Sequence, residues 1–170
     1  MITEGGKSTV FSDVVTTLDW QATALAVNAC GSFAVLAGRK HLGVVDLEKS
    51  GDASSLRKIQ RQARYDTTAI EWNPHIGMDH QLISTSYQHV DVWNLTAEKP
   101  LCKSIKGHTR GISDLNWSLY DSFLFVTCSA DTYVYIWDMR ETRKPAVAWK
   151  AVVLMLVAMF AGSRMLCTCF

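Results

Sequence analysis

The sequence predicts an all-β fold of about three repeated four-stranded sheets. Three observations predict it. A segment holding two tryptophans occurs twice, with Trp72 to Trp117 spanning 45 positions and Trp93 to Trp137 spanning 44. A weaker copy lies upstream, with Val45 standing 48 positions before Trp93. Short β-branched and aromatic runs alternate with turn residues, and no amphipathic helix of convincing length interrupts them.

The copies set the elements in order. The upstream copy reads Ala24 to Asn28, Ala34 to Gly38 and Leu42 to Leu47. The middle copy reads Asp66 to Trp72, Gln81 to Ser86 and Val90 to Leu95. The last reads Gly111 to Trp117, Leu124 to Ser129 and Tyr133 to Met139. Turns are expected at Cys30-Gly31-Ser32, Asn73-Pro74-His75 and Ser129-Ala130-Asp131, from the preference of these residue types for tight reversals. In Tyr133 to Asp138 both faces are apolar: Tyr133, Tyr135 and Trp137 on one, Val134 and Ile136 on the other. Such a strand is expected to be covered on both sides, as between stacked sheets. Repeats in the mid-forties fit a propeller blade of four strands. The run Glu48 to Arg64, with Arg57, Lys58, Arg61 and Arg64, reads as a solvated connection between blades, with a basic interaction loop as the alternative.

Composition narrows the function classes. Of 170 residues, 48% are apolar and 19% charged, which suits a globular domain with a sizeable core. A net charge of +1 gives no overall electrostatic case for nucleic acid or an anionic membrane. Five cysteines, Cys30, Cys102, Cys128, Cys167 and Cys169, are odd in number and irregular in spacing, so a disulfide framework is not expected. Met1 to Val10 lacks the apolar centre of a secretory signal, and residues 1–10 are expected to be a flexible tail. Without that signal, the sequons at Asn94 and Asn116 are read as ordinary surface sequence.

One constellation carries polar chemistry: Gly107-His108, then Asp131, then Trp137-Asp138. An indole N–H can only donate. A strand hydroxyl, Ser129 or Thr127, can accept from Trp137 and donate to His108, whose other nitrogen can donate to Asp131. The expected set is His108, Ser129, Asp131 and Trp137, a structural tetrad in which every buried polar atom finds a partner. The same residues admit a hydrolase reading, Ser with His and Asp, but no G-x-S-x-G elbow is present. No catalytic residue, cofactor or metal is therefore expected. Gly5-Gly6-Lys7-Ser8-Thr9 resembles the end of a phosphate loop but has Met1 where the first glycine belongs. His75, Asp79 and His80, and separately Cys167 and Cys169, lack the convergence of a zinc site. The middle copy keeps Trp93 but has Asn94 and Tyr87-Gln88-His89 in place of the acidic residues, and the upstream copy lacks the tryptophan. Those two blades are expected to hold by packing alone.

The Gly-His, Asp and Trp-Asp elements resemble the WD-repeat family. A longer likeness, roughly Phe11 to Ala148, is carried by Ala69-Ile70-Glu71-Trp72-Asn73-Pro74-His75, by Gly107-His108-Thr109-Arg110-Gly111-Ile112-Ser113-Asp114-Leu115-Asn116-Trp117, and by Asp131 to Asp138 continuing into Thr142-Arg143-Lys144-Pro145. These stretches resemble the N-terminal propeller of the WD-repeat subunits of the GATOR-two complex, called SEACAT in fungi. That resemblance implies a partial WD-repeat β-propeller over residues 11–149 acting as a non-enzymatic scaffold. It implies other GATOR/SEA-type subunits as protein partners and no nucleic acid. It also implies a place in amino-acid sensing and positive regulation of TOR signalling, in the cytoplasm and peripherally at the lysosomal or vacuolar membrane. The alternatives are a generic WD-repeat adaptor and a tail-anchored membrane protein. Residues 150–170 are an apolar segment that departs from the family. An out-of-frame reading, a tail anchor and a buried strand remain open for it. An uninterrupted apolar run of about twelve residues is short for a bilayer span.

Overall fold

The computed structural model describes residues 18–49, 56–61 and 63–150. Among the described residues, twelve strands form three antiparallel sheets. The first holds β1 (Ala24–Val27), β2 (Phe33–Ala37), β3 (His41–Asp46) and β4 (Leu56–Gln60). The second holds β5 (Ile70–Trp72), β6 (Gln81–Ser86), β7 (His89–Asn94) and β8 (Leu101–Lys106). The third holds β9 (Ile112–Trp117), β10 (Leu124–Ser129), β11 (Tyr133–Asp138) and β12 (Val147–Lys150). Each sheet keeps its strands in chain order, and β1, β5 and β9 lie beside one another at the inner edge. This is a run of three propeller blades. Among the described residues there is no helix.

Two findings adjust the expected boundaries. Leu56–Gln60 lies inside the run read as a solvated connection, yet it is the outer strand of the first blade, and Arg61 after it is 6% exposed. Strand β12 reaches Lys150, one residue past the expected end of the propeller. Residues 1–10, the phosphate-loop-like Gly5 to Thr9, the cysteines 167 and 169 and the apolar segment from 151 onward lie outside the described residues.

Packing between blades explains the apolar pattern. Between the first and second blades Val35, Leu42, Val44, Trp72, Leu82 and Trp93 form one cluster. Between the second and third, Ile83, Val92, Leu115, Trp117, Phe125 and Trp137 form another. Trp93, Trp117, Trp137 and Phe125 are all below 2% exposed. Burying side chains of this size contributes about 2–3 kcal/mol each, so the tryptophan spacing marks the seams. Strand β11 is covered as expected at Val134, Ile136 and Trp137, but Tyr133 at its start is 36% exposed.

Polar contacts stitch the same seams. Thr23 donates to the Thr67 carbonyl, and Thr68 donates to the Ile112 carbonyl. Arg57 crosses from the first blade to the Leu95 carbonyl at 2.7 Å. Asn73 donates to the Ser122 carbonyl, and His75 Nε2 lies 2.8 Å from the Ser118 carbonyl.

Candidate functional site

The polar centre of the third blade is built by three elements. Trp137 sits on β11 opposite Phe125 of β10, and Thr127 lies two residues further along β10 on the same face. Side chains at i and i+2 of a strand share a face, so the indole reaches the hydroxyl. Trp137 Nε1 donates to Thr127 Oγ1 at 2.9 Å. His108, in the link from β8 to β9, places Nε2 2.8 Å from the same oxygen. Its Nδ1 lies 3.0 and 3.1 Å from the two Asp131 oxygens. Because the indole must donate, Thr127 accepts from it and gives its own proton to Nε2. His108 is then the neutral tautomer with its proton on Nδ1, donated to Asp131. The Thr109 and Tyr133 amides donate to the same carboxylate at 2.9 and 3.0 Å.

The hydroxyl of this relay belongs to Thr127, not to the expected Ser129. Ser129 donates to the Gly111 carbonyl at 2.9 Å and accepts from the Asp131 amide. It ties the β10–β11 turn to the start of β9, beyond a register shift between Cys128 and Ser129. Ser129 lies four residues past Phe125, about 13 Å along an extended strand, which is beyond the indole's reach.

Electrostatics hold the relay in one protonation state. Burial pushes the His108 pKa below its usual value, although Asp131 pulls the other way. Burial would also raise the Asp131 pKa, but the Thr109 and Tyr133 amides and His108 outweigh it and the pKa falls. His108 stacks on Tyr135 with ring centroids 4.3 Å apart. Gly107 is required by close approach: a Cβ there would overlap the six-membered ring of Trp137. Thr127 is 0% exposed and His108 2%. The hydroxyl that a hydrolase would use as nucleophile is therefore sealed and already committed to an indole.

The second blade is also pinned by polar contacts, contrary to the expectation of packing alone. Trp93 Nε1 donates to Ser84 Oγ at 2.9 Å. In place of a histidine, Arg61 from the end of β4 lies over the Trp93 ring, 5.8 Å from its centroid. Its Nη2 is 3.1 Å from Asp91 Oδ2. Its Nη1 donates to the Gly38 carbonyl at 2.8 Å and to Thr67 Oγ1. Ser104 completes the carboxylate's shell, donating to Asp91 at 2.7 Å. Buried charge demands such pairing. The sequence signal was an arginine two residues after the apolar Ile59, with an aspartate one blade on. In the first blade no tryptophan stands on β3. Trp20, which precedes β1, packs over Gly38 and Gly43 instead.

Glu71 on β5 was not singled out by sequence reasoning. It spans to the third blade, where its Oε2 accepts the Trp117 amide at 2.7 Å. Burial and then the charge of Asp114 push its pKa up to about 7, against the opposing amide bond. His75, Asp79 and His80 do not converge: His75 faces the Ser118 carbonyl, and Trp72 donates to the Asp79 carbonyl at 2.7 Å. Among the described residues, no group of three or more histidine, cysteine or acidic side chains is placed to hold a metal ion.

Comparison with known proteins agrees with this architecture. The profile of the family "WD domain, G-beta repeat" matches residues 99–138, which run from just before β8 to the end of β11. The chain is 44% identical over 140 residues to the GATOR2 complex protein WDR59 of Gallus gallus and to that of Homo sapiens, covering 82% of this chain. It is 39% identical over 138 residues, 80% of this chain, to the Wdr59 protein of Drosophila melanogaster. In each case it spans 14% of the relative's own length. With its Trp–Thr–His–Asp relay, its WD repeat at residues 99–138 and three four-stranded blades, the chain is a partial WD-repeat propeller similar in sequence to the WDR59 proteins.

Proposed function

We propose that the chain is a non-catalytic interaction scaffold working within a GATOR2-like complex. The observation that carries this reading is the 44% identity, across three blades, to proteins described as GATOR2 complex subunits. The chemistry of the blades supports it. The polar side chains that resemble a catalytic set are buried and mutually satisfied, so they stiffen the sheets and leave the loops free for contact. The biological setting follows from membership of such a complex: amino-acid sensing, positive regulation of TOR signalling, and a cytoplasmic location peripheral to the lysosomal or vacuolar membrane. Its partners are the other protein subunits.

The test is co-expression of the tagged chain with GATOR2 subunits in cells lacking their own WDR59 protein. The reading expects named subunits to co-purify with the chain. It also expects the chain to shift TOR-dependent phosphorylation after amino-acid refeeding. Absence of every subunit from the purified material would overturn it.

A further inference from the structure

The two ends of the blades differ in charge. Even-numbered strands end and odd-numbered strands begin at one end, because each sheet is antiparallel in chain order. This end gathers the β2–β3, β6–β7 and β10–β11 hairpins and the links between blades. Here Arg39, Lys40, Arg64, Lys106 and Arg110 are all exposed, and among the described residues none faces a carboxylate. The acidic groups at this end are mostly committed: Asp19 to Lys58, Asp91 to Arg61 and Asp131 to His108. Asp66 is the exposed exception. At the opposite end Lys49, Arg140 and Arg143 each face a carboxylate, while among the described residues the exposed Lys99 and Lys144 do not. The near-neutral total charge conceals this asymmetry.

Two aromatic rings stand among these cations. Tyr65 and Tyr87 are 43% and 42% exposed and pack with centroids 4.6 Å apart. Arg64 lies over Tyr65 at 5.6 Å, and the Tyr87 ring lies against Gly111, next to Arg110. Tyr87 holds a left-handed φ of 55°, and its carbonyl accepts the Ile112 amide at 2.7 Å, which fixes the display. A recess of about 330 Å³ opens beside the pair, lined by Arg64, Tyr65 and His89 among others. Exposed tyrosines flanked by arginines are the composition of energetic centres in protein interfaces.

We propose that this end, centred on Tyr65 and Tyr87, docks an acidic polypeptide segment that also carries an apolar side chain. The apolar side chain covers the tyrosine pair, and its acidic neighbours meet Arg64 and Arg110. Charge complementarity names the partner. A nucleic acid fits less well: the exposed carboxylate of Asp66 lies among the cations. The proposal rests on the scaffold reading for its setting and adds the chemistry of the partner.

The experiment titrates the full chain into a fluorescein-labelled short peptide of Glu and Asp with two central Leu residues, read by anisotropy. Saturable binding is expected, weakening about tenfold or more in R64E/R110E and on raising salt from about 0.05 to about 0.5 M in the unmodified chain. Lys144→Glu, at the other end, leaves it unchanged. R64Q/R110Q is the milder pair, to be used if charge reversal disturbs folding, and it also weakens binding. Three results would each overturn the proposal: no saturable binding, binding indifferent to both arginine pairs and to salt, or tighter binding of an oligothymidine or a phosphatidylserine vesicle than of the peptide. Failure here with GATOR2 subunits still co-purifying would remove this surface and leave the scaffold reading standing.

Discussion

Replacing Thr127 by valine isolates the polar term of the relay. Valine matches threonine in shape, so no cavity forms at this fully buried position. What changes is that Trp137 Nε1–H loses its acceptor and His108 Nε2 loses its donor, at contacts of 2.9 and 2.8 Å. Each buried polar group left unpaired costs about 1–3 kcal/mol. Some relaxation is shared, so the loss expected for T127V is about 2–4 kcal/mol. Urea unfolding followed by tryptophan fluorescence measures it, as a fall in midpoint at constant slope. Trp137→Phe removes the orphaned donor, so the double variant T127V/W137F loses less than the sum of the two singles. A change within about 0.5 kcal/mol for T127V, the range of an ordinary surface substitution, would refute the reasoning.

Further outcomes follow from neighbouring contacts. Arg61→Met strands the Asp91 carboxylate in the second blade and costs about 3–5 kcal/mol, measured by the same unfolding assay, and R61M/D91L recovers part of it. Gly107→Ala drives a methyl into the Trp137 ring and lowers stability by about 1–3 kcal/mol. Glu71, with its folded pKa raised to about 7, favours the folded state when protonated. Its contribution is complete below the unfolded value near 4.5 and is lost as pH rises through 7. The stability difference between E71Q and the parent chain, followed from acid to neutral pH, therefore shifts in favour of E71Q. His108 titrates in the opposite sense: its depressed pKa gives stability that is present above the unfolded value of 6.5 and lost as pH falls below it. His108→Gln flattens that acid limb of the urea midpoint.

The sequence made the blades readable because tryptophans recur wherever two sheets meet. Trp72 and Trp117 are 5% and 1% exposed, and Trp93 and Trp137 both 1%. Three residues of the relay were legible for a related reason: a buried indole and a buried imidazole each need partners, and few residue types supply them. The hydroxyl was misplaced because Thr127 and Ser129 have equivalent chemistry, and only the register against Trp137 separates them. The pin of the second blade was missed because it does not reuse the histidine. An arginine just after the previous blade's outer strand replaces it, and a run of basic residues reads as solvent-facing until the pairing of that strand is known. Glu71 was invisible for a third reason. Its significance lies in the Trp117 amide, a backbone donor that sequence pattern does not reveal.

The most direct measurement of the central claim is the tautomer and titration of His108 by ¹⁵N NMR in selectively labelled protein, with His108→Gln assigning the signal. The relay predicts a neutral ring protonated on Nδ1, stacked on Tyr135 and still uncharged below the pH at which a solvent-exposed histidine titrates. A ring protonated on Nε2 in its neutral form, or one that titrates freely near 6.5, would contradict the account.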